Sequence, residues 1–183
     1  MPIIVVAGVP GVGKTSVLEE ASKRLGMNIV VFGTVMFEIA KERGLVQHRD
    51  EIRKLPSEVQ RELQEEAAER IRKMGNVIVD THMLIKTPAG FLPGLPFSVL
   101  QKLSPSKIVL IEADPQEILR RRLKDATRVR DMESEADIRD HQMLNRIAAI
   151  VYGILSGAFV AIVHNKDGML EKAVEDVVKI IEG

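Results

Sequence analysis

The chain has 183 residues, 45% hydrophobic and 28% charged, with 26 basic side chains balanced by 26 acidic ones. That length suits one domain around one core, while the zero formal charge gives no general attraction to nucleic acid or to an anionic membrane. The absence of cysteine excludes disulfides, thiolate nucleophiles and zinc–thiolate sites; no apolar run approaches the roughly 20 residues of a membrane span, and no basic leader precedes the first apolar stretch, so a cytoplasmic protein is expected.

Ile3 to Val6 is a run of apolar β-formers that reads as a buried strand. It leads directly into Gly8-Val9-Pro10-Gly11-Val12-Gly13-Lys14-Thr15, which satisfies the spacing GxxxxGK[ST]. A helical pattern follows, with Val17, Leu18, Ala21 and Leu25 on one face and Gly26 as its stop. Glycines let the backbone wrap with its N–H groups turned inward, and the helix N-terminus adds partial positive charge, so the loop is a phosphate cradle. Lys14 would reach the β- and γ-phosphates of a nucleotide, and Thr15 would place its hydroxyl on Mg²⁺.

Ile29 to Phe32 reads as a short strand, Gly33-Thr34 opens a helix to about Arg43, and Gly44 ends it. Residues 45–56 are polar and broken by Pro56, after which Ser57 with Gln60 has the form of a capping box. Val59, Leu63, Ala67, Ile71 and Met74 then mark an amphipathic helix. Val77 to Val79 is a strand that ends in Asp80. Residues 83–97 hold Pro88, Gly90, Pro93, Gly94 and Pro96, a density that argues against helix or strand and predicts a long ordered loop. Ile108 to Ile111 is a strand, Pro115 starts a helix, and Ser134 with Asp137 caps a longer one whose apolar positions include Ile138, Leu144, Ile147, Val151 and Leu155. A strand from Phe159 to Val163 and a helix through Leu170, Ala173, Val174, Val177 and Ile181 complete the chain.

Short, nearly all-apolar strands separated by helices predict an α/β fold: a doubly wound parallel sheet of about five strands with helices on both faces. Ligands collect at the carboxyl ends of such strands. Asp80 stands there in the Walker-B position, an apolar strand followed by a carboxylate, and is a candidate Mg²⁺ ligand beside Thr15. His82 is read as a structural residue or a substrate contact, because transfer between phosphates needs no strong base. Arg120 to Arg130 carries six cationic side chains against one acidic one. Arg121 and Lys124 read as solvated, whereas Arg128 and Arg130 fall beyond the helix, where a lid could bring them onto a transferring phosphoryl group.

GVPGVGKT, FGTVMFE, RKL, VIVDTH, IKTP with GLP, RRRLKDATRVRD, HQMLNR and HNKDG, in this order, resemble the archaeal type of adenylate kinase nearly end to end. The resemblance implies reversible, Mg²⁺-dependent phosphoryl transfer from ATP to AMP, giving two ADP, by one nucleoside monophosphate kinase domain over residues 1–183. Within it the AMP-binding part would span about residues 33–75 and a short arginine-rich lid about residues 122–131. By position, Gly8, Val9, Pro10, Gly11, Val12, Gly13, Lys14, Thr15 and Ser16 would hold the ATP phosphates, with Lys14 catalytic. Arg122, Arg128 and Arg130 would clamp the transferring group, Gly33, Thr34, Arg53, His82 and Lys86 would form the AMP site, and Asn165 would lie near the ATP adenine. The resemblance also implies a homotrimer, while the zero net charge and the lack of a membrane-length apolar run lead us to expect no stable nucleic-acid partner and no membrane association.

Two departures stand out. The stretch Thr34 to Phe37 lacks the arginine that grips the AMP phosphate in the common bacterial and eukaryotic enzymes, and only five residues separate Arg122 from Arg128, where many bacterial relatives carry a long lid. Rival readings are a kinase for UMP, CMP or a shikimate-like acceptor, and a P-loop ATPase acting as an RNA-associated factor. A GTPase is disfavoured because His164-Asn165-Lys166-Asp167 brings its aspartate one residue too early for Asn-Lys-x-Asp.

Overall fold

A computed structural model describes residues 2–125 and 133–183. In chain order the elements are β1 (Ile3–Ala7), α1 (Lys14–Leu25), β2 (Asn28–Val31), α2 (Phe32–Glu42), a 3-10 helix (Arg49–Lys54), α3 (Ser57–Met74), β3 (Val77–Asp80), β4 (Leu84–Thr87), β5 (Gly90–Pro93), α4 (Phe97–Leu103), β6 (Lys107–Glu112), α5 (Pro115–Lys124), α6 (Glu135–Ser156), β7 (Phe159–His164) and α7 (Leu170–Glu182). The main sheet has five strands, all parallel, in the order β2-β3-β1-β6-β7. β1 lies at its centre with every residue buried.

Alternation along β1 builds the two layers. Ile3, Val5 and Ala7 face a core with side chains of α2, α3, α4 and the later part of α6, while Ile4 and Val6 face one with those of α1 and α7. Burying a side chain of this size contributes about 1.5–3 kcal/mol, so a strand with no polar side chain is held from both faces. The carboxyl ends of β1 and β3 meet in register, Val6 opposite Asp80, and Val31 of β2 also lies opposite Asp80. That alignment carries the aspartate to the mouth of the loop after β1. No helix among the described residues is long and apolar enough to cross a membrane.

The structure differs from the sequence reading at several points. Phe32 belongs to α2 and not to the strand, because its side chain packs into the core with Val35 one turn on. Gly33 and Thr34 therefore lie in the first turn of α2. Ser57 and Gln60 form no capping box: Pro56 occupies the cap, and Gln60 Nε2 instead donates to Leu55 O at 2.8 Å. The segment before Pro56 is partly ordered by the 3-10 helix, whose start is fixed by Glu51 Oε2 accepting from the backbone N–H of Gln47 at 2.6 Å and of His48 at 2.8 Å.

The expected loop over 83–97 contains an antiparallel hairpin, β4 with β5, closed by Pro88 and Ala89. Its breakers sit where they do no harm, Gly90 opposite Thr87 at the turn and Pro93 opposite Leu84 at the open end. Buried Tyr152 of α6 fixes the base of the hairpin: its hydroxyl donates to Met83 O at 2.9 Å and accepts from Leu95 N at 3.5 Å. Ser134 and Asp137 do cap α6 reciprocally. Yet of the apolar positions read on that helix, Ile138 is buried while Ile147, Val151 and Leu155 are exposed.

Candidate active site

The loop between β1 and α1 is set by close contacts that only glycine permits. Gly13 caps α1 with φ 80°, and a Cβ there would lie 2.5 Å from Asn165 Nδ2. No side chain caps the first turn of α1 and none in that turn is acidic, so its N-terminus stays free for an anion. From behind, Asn165 Nδ2 donates to Val12 O at 2.8 Å, and the Asn165 N–H donates to Glu112 O of β6 at 2.8 Å. Asn165 is thus a buried brace of the loop and does not line the cleft in front of it.

That cleft encloses about 1070 Å³ and is lined by every residue from Gly8 to Ser16. Lys14 Nζ pairs with Asp80 Oδ1 and lies 3.3 Å from Thr81 O. The P-loop lysine and the carboxylate at the end of β3 therefore meet across the strand ends, with the Thr15 hydroxyl exposed beside them. The opposite wall is built from the first turn of α2, the 3-10 helix and the hairpin. Gly33, Arg53, His82 and Lys86 line it, whereas Thr34 does not.

Arg53 is 79% exposed and paired with Asp50 at 2.7 Å. Arg49, which the sequence reading missed, also lines the cleft and lies against Gly33, where a Cβ would come within 2.5 Å of its Nη2. Among the described residues Arg49 has no hydrogen-bonded or ion-paired partner. A cation without a carboxylate partner among the described residues, facing an open cleft, is suited to an anion.

The arginine cluster divides in a way that its pattern does not reveal. Arg121 is not solvated: Nη1 donates to Gly11 O at 3.4 Å and Val12 O at 3.1 Å, Nη2 donates to Asn165 O at 2.9 Å, and Nε donates to Asp167 Oδ1 at 2.9 Å. It stitches the loop after β1 to the loop after β7. Arg122 lines the cleft, donating from Nε to Pro10 O at 2.7 Å and from Nη1 to Glu133 Oε2 at 2.6 Å. Arg128 and Arg130, with most of the expected lid, lie outside the described residues.

His82 reaches solvent at the cleft, yet the protein around its ring, followed by the charge of Lys14, holds its pKa below the ordinary value. His141 of α6 is shifted the same way, chiefly by burial; its Nε2 lies 3.3 Å from Leu84 O and its ring centroid 5.1 Å from that of Phe91. It is a structural contact between α6 and the hairpin.

A family profile described as an AAA domain matches residues 7–139. The adenylate kinase of Methanopyrus kandleri is 56% identical over 185 residues, covering 98% of this chain and 97% of that protein. The adenylate kinase of Methanocaldococcus jannaschii is 52% identical, covering 98% of each. Among solved structures, the shikimate kinase of Bacteroides thetaiotaomicron has a TM-score of 0.64 at 15% identity, covering 100% of this chain and 99% of that one. The last likeness speaks for the fold alone.

The two depressed histidines fix a sign. An unfolded chain binds protons at these positions as the pH falls through about 6.5, before the folded protein does, so the folded state loses stability below that point. The urea midpoint should be level from about pH 8 down to 6.5 and fall between about 6.5 and 5, above the range where carboxylates titrate. The double variant His82→Gln, His141→Gln should flatten that fall; an unchanged slope would contradict the assignment.

Proposed function

The chain belongs to the adenylate kinase family and is an ATP:AMP phosphotransferase, and on that premise we propose how its own residues divide the reaction. The P-loop, Gly8 to Ser16, takes the ATP phosphates, and Arg49 supplies the cation for the AMP phosphate that Thr34 to Phe37 lack. The observation that carries this reading is the geometry of the cleft, with the Lys14–Asp80 pair on one wall and the unpaired Arg49 over Gly33 on the other. Gly33, His82 and Lys86 complete the acceptor side, with Arg53 at its rim. Arg128 and Arg130 join Arg122 in the clamp on resemblance alone.

Thr15 and Asp80 fit Mg²⁺, since a hydroxyl and a carboxylate are the hard oxygen donors this ion takes. No cluster of three or more metal-ligating side chains stands ready among the described residues, in keeping with an ion that arrives on the nucleotide's phosphates. Bound there, it would neutralise charge on the phosphate oxygens. Lys14 would turn from Asp80 to the phosphates of a bound nucleotide, and the Asp80 carboxylate would then be available to hold the ion with Thr15. Transfer then proceeds by alignment of the two nucleotides and by cationic stabilisation of the group in flight, and the protein makes no covalent bond to it.

Lys14→Ala should lower kcat by about 10²–10³-fold, the loss typical of one transition-state donor, and leave the fold intact. Arg49→Ala should raise the KM for AMP by about tenfold or more with the KM for ATP unchanged. Steady-state kinetics with each substrate varied in turn separates the two; equal effects on both KM values would remove Arg49 from the acceptor site.

We also propose that copies of the chain associate through α6 and the edge strand β7, as a trimer on the family resemblance. Met143, Ile147, Ile150, Val151, Ile154 and Leu155 are exposed on one helix, Ile154 by 76%, and Phe159 and Ile162 are exposed on the neighbouring strand. Gly153 lets the two elements approach, since a Cβ there would lie 2.6 Å from Val160 Cγ2. Ile162 shares the α6-facing side of β7 with Val160, and exposed apolar side chains gathered on one face are costly to leave in water. Light scattering on a sizing column should give a mass near three chains, and Ile147→Lys with Ile154→Lys should give one; a wild-type monomer would refute the assembly.

A further inference from the structure

Glu133 immediately precedes the cap residue of α6 and does not line the cleft, whereas Arg122 and Lys86, which it holds, both do. Its Oε2 accepts from Arg122 Nη1 at 2.6 Å and its Oε1 lies 2.9 Å from Lys86 Nζ. One carboxylate thus spans α5 and β4, the two elements that carry cations toward the phosphate site from different sides. The contact is sheltered, with the Arg122 and Glu133 side chains 10% and 19% exposed. Burial works against ionisation of Glu133, but the two cations outweigh it and hold its pKa below the usual carboxylate value.

Each cation also has a second anchor. Arg122 Nε donates to Pro10 O at 2.7 Å, and its Cγ would lie 3.0 Å from a Cβ on Gly11, so it rests across the P-loop itself. Lys86 Nζ lies 3.7 Å from Asp137 Oδ1. The cap of α6 uses Ser134 and Asp137 and not Glu133. Removing the Glu133 charge therefore leaves the fold and both side chains tethered, but loosens their mutual spacing. It also removes a negative charge that competes with phosphate for both cations.

We propose that Glu133 is a positioning residue, a shared counter-ion that sets the spacing of Arg122 and Lys86 and keeps hold of both while they also meet phosphate. The proposal rests on Arg122 and Lys86 serving the phosphate site, as argued above. A counter-ion that shares its cations with phosphate weakens ground-state binding by competition while keeping the cations in place for the transition state. Those two effects have opposite signs in kinetics, which a merely structural carboxylate would not produce.

The test uses full-length Glu133→Gln and, as a conservative control, Glu133→Asp, with inorganic tripolyphosphate as a competitive probe that has phosphates and no base. In Glu133→Gln the inhibition constant of tripolyphosphate should fall about fivefold, and kcat should fall about tenfold because the cations are no longer aligned. Glu133→Asp, which keeps the charge on a shorter arm, should restore the wild-type inhibition constant and part of kcat. An inhibition constant that is unchanged or raised, or a kcat that is unchanged, overturns the proposal. Arg122→Ala run alongside separates the two levels. If it loses turnover while Glu133→Gln behaves as wild type, the counter-ion role fails and the site stands. If Arg122→Ala turns over normally, the reading of the site fails and the proposal falls with it.

Discussion

The pairing of Lys14 with Asp80 is the contact on which the rest of the cleft depends. It joins the start of α1 to the end of β3 and sets two opposite charges at the mouth of the P-loop cleft. The same arrangement recurs around the cleft, with Arg122 and Lys86 on Glu133 and Arg121 on Asp167. Lys14, Lys86 and Arg122, which line the cleft, and Arg121 behind it are thus each paired with one of the protein's own carboxylates. Arg49, which lies against Gly33, differs in having no paired carboxylate among the described residues.

How much of this the sequence reveals depends on the range of the interaction. The P-loop, Asp80 and the five parallel strands follow from local spacing and from apolar runs, and the structure has them where the pattern puts them. Arg49 and Arg121 are invisible by the same means. Arg121 is distinguished from Lys124 by partners far along the chain, the carbonyls of Gly11 and Val12 more than a hundred residues before it and Asn165 and Asp167 after β7, and no periodicity encodes those distances. The hairpin was hidden because prolines and glycines that normally break strands occupy its turn and its open end, where a ladder hydrogen bond is not needed.

Helix α6 shows why an apolar pattern alone misleads. Its inward face is largely polar or small, with His141, Gln142, Asn145, Ala148 and Ala149, and its Ile147, Val151 and Leu155 face outward. Two of these polar groups have partners, Gln142 exchanging two hydrogen bonds with the backbone of Ala113 and His141 Nε2 lying 3.3 Å from Leu84 O, whereas Asn145 Oδ1 is buried without one among the described residues; beside them half-exposed Arg146 holds buried Glu112 at 2.8 and 2.6 Å. The apolar residues left outside form the surface proposed above for contact between copies. One element thus braces the hairpin through His141 and Tyr152 and turns an apolar face to solvent.

The central claim is that the cleft pairs a P-loop donor site with an acceptor site for a nucleoside monophosphate, and that water is kept from the transfer. Its most direct test is a coupled ADP-production assay with Mg·ATP and each of AMP, GMP, CMP and UMP, beside a control with no acceptor. Fast turnover with AMP and little with the other three or without acceptor is the predicted result. Turnover that is equal without an acceptor, or that favours another monophosphate over AMP, would contradict it.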